Sequence, residues 1–211
     1  MKALRLSALL LSVAAATCFA QQWEFAGMGG GGFLNTVGVS GTPGSATAGF
    51  QSSFAAGGYV GYNSNKHLGG ELHYDYLPGD LKLTSGGSTT TFSGMAHAVH
   101  YDVTFRTNKN PKVQLFVTLG GGMKIFQGTG TEAAYQPLSQ FGYFTKTHAV
   151  KPMGTASVGA KFALSKRVFL RTEVRYIVTQ FPTEIITPAP GTSYGSLLHQ
   201  FVPMAGIGME M

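Results

Sequence analysis

The sequence predicts an all-β fold, an eight-stranded antiparallel up-and-down β-barrel that spans a membrane. Three observations predict it: long runs in which apolar and polar residues alternate, connections that are alternately short and long, and a charged content of only 11%. Soluble globular proteins carry roughly 25% charged residues. The 211 residues are enough for one domain with a substantial core.

The first twenty residues predict a cleaved secretory signal peptide. Lys2 and Arg5 give a basic start, residues 4–16 form a short apolar region, and Ala20 precedes the expected cleavage point. Residues 21–211 are then expected to form the barrel domain. The one cysteine, Cys18, lies in the segment that is removed, so no disulfide is expected in the mature chain.

Residues 68–76 illustrate the alternation that predicts membrane-spanning strands. Leu68, Leu72 and Tyr74 occupy one parity, whereas Glu71 and Asp75 occupy the other. Such runs exceed the five or six residues usual for a soluble strand and fit the roughly 9–11 tilted residues that cross a bilayer. Eight strands of this kind are predicted, near residues 22–34, 53–63, 67–77, 92–106, 112–126, 150–164, 168–180 and 197–211.

The connections between these strands alternate in length. The short ones are polar turns of hairpin type, at residues 63–66, 107–111 and 165–167. The long ones are loops rich in Gly, Ser, Thr and Pro, at residues 35–52, 78–91, 127–149 and 181–196. Short turns on one side and long loops on the other are typical of outer-membrane barrels, so both termini are expected on the turn side.

These features resemble a known family. The predicted signal peptide, the opening strand Trp23-Glu24-Phe25, the glycine-rich strands and the loop asymmetry are similar to small OmpA/OmpX-type outer-membrane barrels. The sequence departs from that family in its last strand, because such barrels usually end in an aromatic residue and this one has Met211. The resemblance covers residues 21–211. It implies an integral outer-membrane protein, folded by the barrel-assembly machinery, that contacts outer-membrane lipids and lipopolysaccharide and exposes its loops to a surface ligand.

In such a barrel the apolar parity faces lipid, so the polar parity is expected to fill the interior. Eight strands leave an interior only wide enough for side chains, so an open pore is not expected. The third and seventh strands face each other, so Glu71-His73-Asp75 is expected to meet Arg171-Glu173-Arg175 as a buried ion-pair ladder. The expected interior polar network is Glu71, His73, Asp75, His100, Asp102, Lys124, Lys161, Arg171, Glu173 and Arg175, with Glu24 and Glu210 also pointing inward.

Aromatic residues provide two further expectations. Tyr59 and Tyr62 are among those assigned to aromatic girdles at the borders of the membrane. The third loop is the best candidate for contact with a surface partner, although the same residues also fit ordinary loop packing. The candidate contact residues are Tyr135, Phe141, Tyr143 and Phe144.

The leading functional interpretation is a non-enzymatic outer-membrane protein for envelope integrity or surface interaction, without cofactor, metal or nucleic-acid partner. Its net charge of +6 is spread thinly along the chain. A lipid A-modifying barrel enzyme is one alternative. Ser93 and His97 share a parity, but Asp102 lies on the other and no G-x-S-x-G motif occurs. A soluble lipocalin-like barrel with an apolar ligand cup is the other alternative, against which the low charge content argues.

Overall fold

In a computed structural model the described residues are 23–41, 44–107, 112–128 and 136–211. The predicted signal peptide at residues 1–20 therefore lies outside the described residues, as does most of the predicted turn at residues 107–111. Within the described part of the chain, no helix is long and apolar enough to cross a membrane.

Strands account for most of the described residues. In chain order they are β1 (Trp23–Leu34), β2 (Val37–Gly41), β3 (Gly44–Phe50), β4 (Ser53–Asn63), β5 (Leu68–Pro78), β6 (Leu81–Ser85), β7 (Ser88–Phe92), β8 (Met95–Arg106), β9 (Val113–Gln127), β10 (Gly142–Phe144), β11 (His148–Ala163), β12 (Val168–Gln180), β13 (Ile186–Pro188), β14 (Thr192–Tyr194) and β15 (Leu197–Glu210).

Eight of these strands form a closed barrel in the order β1-β4-β5-β8-β9-β11-β12-β15. Every neighbouring pair is antiparallel, and β1 closes the barrel by pairing with β15. The predicted fold class is confirmed, and each predicted strand matches one barrel strand to within a few residues. Period-two alternation specified the strands because one face of each is apolar and the other polar.

The outer wall of the barrel is apolar. Phe105, Val117 and Leu119 point outward with 54%, 53% and 62% of their surface exposed. A band of exposed apolar side chains is stable against lipid tails and unfavourable in water. The interior carries the buried charges, so the inverted faces required by the lipocalin-like alternative do not occur.

Glycines on the inward face leave room for the large interior side chains. A Cβ at Gly159 would lie 2.4 Å from the Phe116 ring, and one at Gly120 would lie 2.2 Å from the Asp102 carboxylate. These distances are shorter than atomic contact allows. The absence of a side chain at these strand positions therefore makes space for the residues opposite them.

The long loops are folded, which the sequence did not lead us to expect. Strands from the first, second and fourth loops pair as a five-stranded sheet in the order β14-β2-β3-β6-β7, and strands of the third and fourth loops pair as β10-β13. We call these seven strands and their connections the cap. The cap has an apolar core, in which Leu81, Leu83, Ile185, Ile186 and Phe144 are buried and which is continuous with buried apolar residues of the barrel such as Phe126.

Candidate functional site

The interior of the barrel holds a continuous polar network that starts from the two facing strands β5 and β12. Arg171 on β12 donates from Nη2 to Glu71 Oε2 on β5 over 2.9 Å. Four residues further along each strand, Arg175 Nη1 donates to Asp75 Oδ2 over 2.5 Å. The structure thus places the two expected partners of each rung together across the lumen.

Arg171 is the most enclosed member of this network. It is fully buried, donates a second hydrogen bond from Nε to Glu173 Oε2 over 2.7 Å, and has two aromatic rings against its guanidinium. The Tyr59 ring centroid lies 4.3 Å from its Cζ and the Phe116 centroid 4.1 Å. Cation–π contacts of this kind are strengthened by desolvation, so the rings hold the guanidinium in place while the carboxylates neutralise it.

Two stacked imidazoles link β5 to β8. The rings of His73 and His100 are parallel, with centroids 4.7 Å apart. His73 Nε2 lies 3.0 Å from Glu71 Oε2, and its Nδ1 accepts a hydrogen bond from Arg175. Both ring nitrogens of His100 face carboxylates, Asp102 at 2.9 Å and Asp75 at 3.2 Å. The histidines therefore connect the acids and the arginines into one network.

Toward the short turns, the network ends at Glu24. This carboxylate is fully buried and pairs with Lys161 across the lumen. It also accepts hydrogen bonds from Tyr59 Oη over 3.0 Å and from Asn63 Nδ2 over 3.2 Å. The expectation that Tyr59 belongs to a membrane-border girdle is therefore wrong, because its strand position points inward. Glu210 lies at the rim, 3.8 Å from Lys161, with its side chain only partly buried.

Toward the loops, the polar network ends at Lys124. Its Nζ donates to Gln200 Oε1 over 2.5 Å and lies 5.0 Å from the centroid of the Phe126 ring. Beyond this point the lumen is closed by the apolar core of the cap, where Phe50 stacks on Phe126 at 5.2 Å. The barrel is thus filled by charges in its membrane section and covered by apolar side chains on the loop side.

The buried charges balance. Among the described residues, the buried carboxylates are Glu24, Glu71, Asp75, Asp102 and Glu173, and the buried cations are Arg106, Lys124, Lys161, Arg171 and Arg175. An isolated ion in this environment would cost several kcal/mol. Equal numbers of the two signs offset much of that cost, and Arg106 joins the network with its Nη2 3.7 Å from Glu71 Oε1, whereas Lys124 contacts the neutral Gln200 amide.

The interior also contains apolar residues that sequence reasoning missed. Phe116, Met153 and Phe169 are buried on the same inward parity as the charges. The signal was present in the sequence, since Phe116 stands between the inward positions Gln114 and Thr118. Phe169 packs beneath the Lys161 ammonium, whose Nζ is 4.4 Å from the ring centroid.

The residues considered for a catalytic serine site do not come together. His97 is on the outer wall, where its Nδ1 lies 2.8 Å from Tyr74 Oη, and Ser93 is an exposed residue between β7 and β8. Asp102 is buried inside the barrel, on the other side of the wall. Within the described residues, no group of three or more His, Cys, Asp or Glu side chains is arranged to hold a metal ion.

Of the four candidate loop contacts, one is available at the surface among the described residues. Phe141 and Phe144 are buried in the cap at 4% and 3% exposure, so the expectation of surface contact is wrong for both. Their rings provide loop packing, and Phe144 lies 5.1 Å from Phe92. Tyr143 is 43% exposed. Tyr135 lies outside the described residues.

Residues 6–193 match the family described as outer membrane protein beta-barrel domain. The chain belongs to this family. Membership agrees with the apolar outer wall and the loop asymmetry, and it supports a location in the outer membrane. No curated protein sequence matches the chain.

Solved structures of other outer-membrane barrels share the fold. The outer membrane protein OprG from Pseudomonas aeruginosa is 13% identical with a TM-score of 0.60, covering 90% of this chain and 97% of that one. Neisserial surface protein A is 12% identical with a TM-score of 0.53, covering 89% and 97%. The outer membrane protein AlkL, solved in lipid bilayers, is 11% identical with a TM-score of 0.55, covering 92% of each chain. At these identities the likeness establishes the fold alone.

Proposed function

We propose that the protein is a closed, non-enzymatic outer-membrane barrel that presents its cap at the cell surface for contact with a macromolecular partner. The observation that carries the proposal is the pairing between different loops. Thr192 on β14 pairs with Gly41 on β2, and Phe50 on β3 pairs with Leu81 on β6. A sheet shared by three loops is a rigid platform, and loops on a rigid scaffold usually carry binding.

The lumen supports the closed character of the barrel. Arg171 and Arg175 bridge β12 to β5 across its centre, and the cap core covers its loop-side end. A solute would have to break buried ion pairs to pass through. We therefore expect no steady conductance from the purified protein in a planar bilayer, and discrete long-lived channel openings would contradict this part of the proposal.

The outward surface of the cap supports a binding role. Residues such as Ser88, Thr89 and Thr91 on β7 and Tyr143 on β10 are exposed, whereas charged side chains are few in this region. Hydroxyl groups and tyrosine rings supply adaptable hydrogen bonding and contact area with little loss of conformational entropy, as they do in the binding loops of antibodies. Proteins and glycans at the cell exterior are partners of matching chemistry. The sugars of the surrounding lipopolysaccharide are the nearest of these to the cap.

The experiment compares two aspartate substitutions in the cap. Leu83 on β6 is fully buried, so Leu83→Asp is expected to disrupt the cap core, whereas Thr89 on the neighbouring strand is exposed and Thr89→Asp leaves the core intact. A strain lacking the protein is complemented with each variant. Attachment of the cells to immobilised fibronectin and to immobilised lipopolysaccharide is measured, together with their resistance to detergent.

The proposal predicts that Leu83→Asp loses attachment while the barrel still gives a heat-dependent shift on an SDS gel and detergent resistance is kept. Thr89→Asp folds as the wild type does and reports whether the exposed face of β7 itself makes the contact. If attachment is the same with and without the protein, while detergent resistance depends on its presence, the role is envelope integrity and the surface-contact proposal fails.

A further inference from the structure

A cavity of about 240 Å³ lies at the turn-side end of the barrel, between the ends of β9, β11, β12 and β15. We call it the turn-side pocket. Four of the side chains that line it are cationic and one is a carboxylate: Lys112, Lys161, Lys166 and Arg167, with Glu210. It is separate from the cap, which covers the opposite end of the barrel, and Lys161 connects it to the interior network through Glu24.

The backbone around this pocket is held in place. The turn between β11 and β12 is closed by hydrogen bonds to the Ser165 hydroxyl from the amides of Arg167 and Val168, over 3.3 and 3.1 Å. The carbonyl of Arg167 accepts from the Glu210 amide over 2.8 Å, and that of Lys112 accepts from the Ala163 amide over 3.0 Å. The chain therefore fixes where the Lys112, Lys166 and Arg167 side chains begin.

The charges of the pocket are not all used within the protein. Lys161 is buried and forms an ion pair with Glu24, and its Nζ lies 3.8 Å from Glu210 Oε1. Within the described residues, the Lys166 and Arg167 side chains make no ion pair. Two cations beside a partly enclosed space, with a third buried cation at its inner end, produce a positive potential that a single carboxylate does not cancel.

We propose that the turn-side pocket binds an anionic phosphate group. Arg and Lys side chains together suit phosphate, because several oxygen acceptors meet a guanidinium fork and an ammonium. The volume is below the roughly 300–1,000 Å³ of pockets for drug-sized ligands, so it fits a phosphate with few attached atoms. In an outer-membrane barrel the short turns face the periplasm, and both a lipid of the inner leaflet and a soluble phosphate reach this end.

The outer wall beside the pocket is compatible with a lipid source. Leu115 and Leu164 lie next to lining segments of β9 and β11 and are 55% and 60% exposed on the lipid-facing side. The acyl chains of a lipid can therefore lie against these leucines while its phosphate enters the pocket. Basic residues at this depth also attract anionic lipids through the surface potential of the membrane.

Two probes separate the sources, both applied to the purified protein in octyl glucoside, which contains no phosphate. Inorganic pyrophosphate is titrated calorimetrically, and retention of phosphatidylglycerol is counted by native mass spectrometry.

The test variant combines Lys166→Gln with Arg167→Gln. The single variant Lys166→Gln is also made, and Lys66→Gln is its control. Lys66→Gln removes a lysine from the turn between β4 and β5, on the opposite side of the barrel mouth.

Saturable binding of either probe that weakens by about tenfold or more in the double variant supports the pocket, since a hydrogen bond to a charged group is of that size. Binding of phosphatidylglycerol without pyrophosphate assigns a lipid source, and binding of pyrophosphate assigns a soluble one. The proposal is overturned if neither probe binds the wild type, or if Lys66→Gln weakens binding as much as Lys166→Gln, because the effect would then be general surface charge. A heat-dependent gel shift confirms that each variant is folded.

Discussion

Arg171 and Glu71 lie on strands that face each other across the lumen, and the arginine Nη2 is 2.9 Å from the carboxylate Oε2. Both side chains are fully buried. A contact of this kind joins the two halves of the barrel wall directly, because β5 and β12 are not neighbours in the sheet. The stability of the barrel should therefore depend on this pair.

The first prediction concerns the removal of Arg171. Arg171→Ala leaves Glu71 and Glu173 buried without their shared cation, and we expect the free energy of unfolding to fall by roughly 3–5 kcal/mol. Urea unfolding in detergent micelles, followed by the fluorescence of Trp23, the one tryptophan, measures this change. Arg167→Ala, at an exposed turn, is the control and should change the value by only about 0.5 kcal/mol. An unchanged midpoint for Arg171→Ala would show that the ladder contributes nothing.

A second prediction uses the space that inward glycines provide. A Cβ at Gly159 would meet the Thr172 carbonyl at 2.3 Å and the Phe116 ring at 2.4 Å. Gly159→Ala should therefore displace the ring that covers Arg171 and destabilise the barrel by roughly 1–3 kcal/mol. Gly27 is the matched control, because a Cβ there meets nothing within 4 Å.

The same urea titration measures both glycine variants. Gly27→Ala should be as stable as the wild type or slightly more stable, since alanine reduces the entropy of the unfolded chain. If Gly159→Ala and Gly27→Ala unfold at the same urea concentration, the interior is more loosely packed than the distances indicate.

Much of the membrane section could be predicted from the sequence because each strand has two chemically different faces. The alternation that places Leu72 outward also places Glu71 inward, and the eight-strand count then sets β5 opposite β12. Tyr59 was wrongly assigned to a membrane-border girdle because tyrosine is common there. Its position on β4 has the same parity as Gly61, which faces inward beside the Glu24 side chain. Residue type was a weaker guide here than strand position.

The cap could not be predicted in the same way. Segments such as β3, with the sequence GSATAGF, and β7, with the sequence STTTF, alternate little in polarity. They become strands through pairing: β3 pairs with β6 of another loop, as Ala48 does with Leu83, and β7 pairs with that same β6 strand. Such pairing depends on tertiary contacts that local propensity does not encode. For the same reason the sequence left Phe141 and Phe144 open between contact with a surface partner and loop packing, and the structure places both in the core of the cap.

A third prediction separates the core of the cap from its surface by using neighbouring aromatic residues. Phe144 is 3% exposed and Tyr143 is 43% exposed. Phe144→Ala removes a ring that packs against Phe92, and a buried Phe→Ala change costs roughly 3–5 kcal/mol. We expect loop-side amides to exchange hydrogen faster in this variant, while the amides of the barrel strands stay protected.

Tyr143→Ala is the control for Phe144→Ala. Its side chain contributes little to the core, so amide exchange in the cap should match that of the wild type. Equal acceleration in both variants would mean that the third loop moves independently of the other loops. Acceleration in neither would mean that the core of the cap does not depend on Phe144.

The last prediction concerns Tyr194 on β14. Burial raises the pKa of Tyr194 from its ordinary value of 10.0 to about 12, and its hydroxyl donates to the Phe141 carbonyl over 3.1 Å. The folded cap therefore holds this proton more tightly than the unfolded chain does. The stabilisation is complete below pH 10 and is lost as the pH rises from about 10 to about 12, where the phenolate has to be accommodated in the cap.

The difference in absorbance at the phenolate band between the wild type and Tyr194→Phe should show one tyrosine that titrates near 12. The loss of thermal stability in that pH window should be smaller in Tyr194→Phe, which has no proton to release. A difference spectrum with its midpoint at the ordinary value of 10.0 would mean that the Tyr194 hydroxyl is open to water and does not help to hold the cap together.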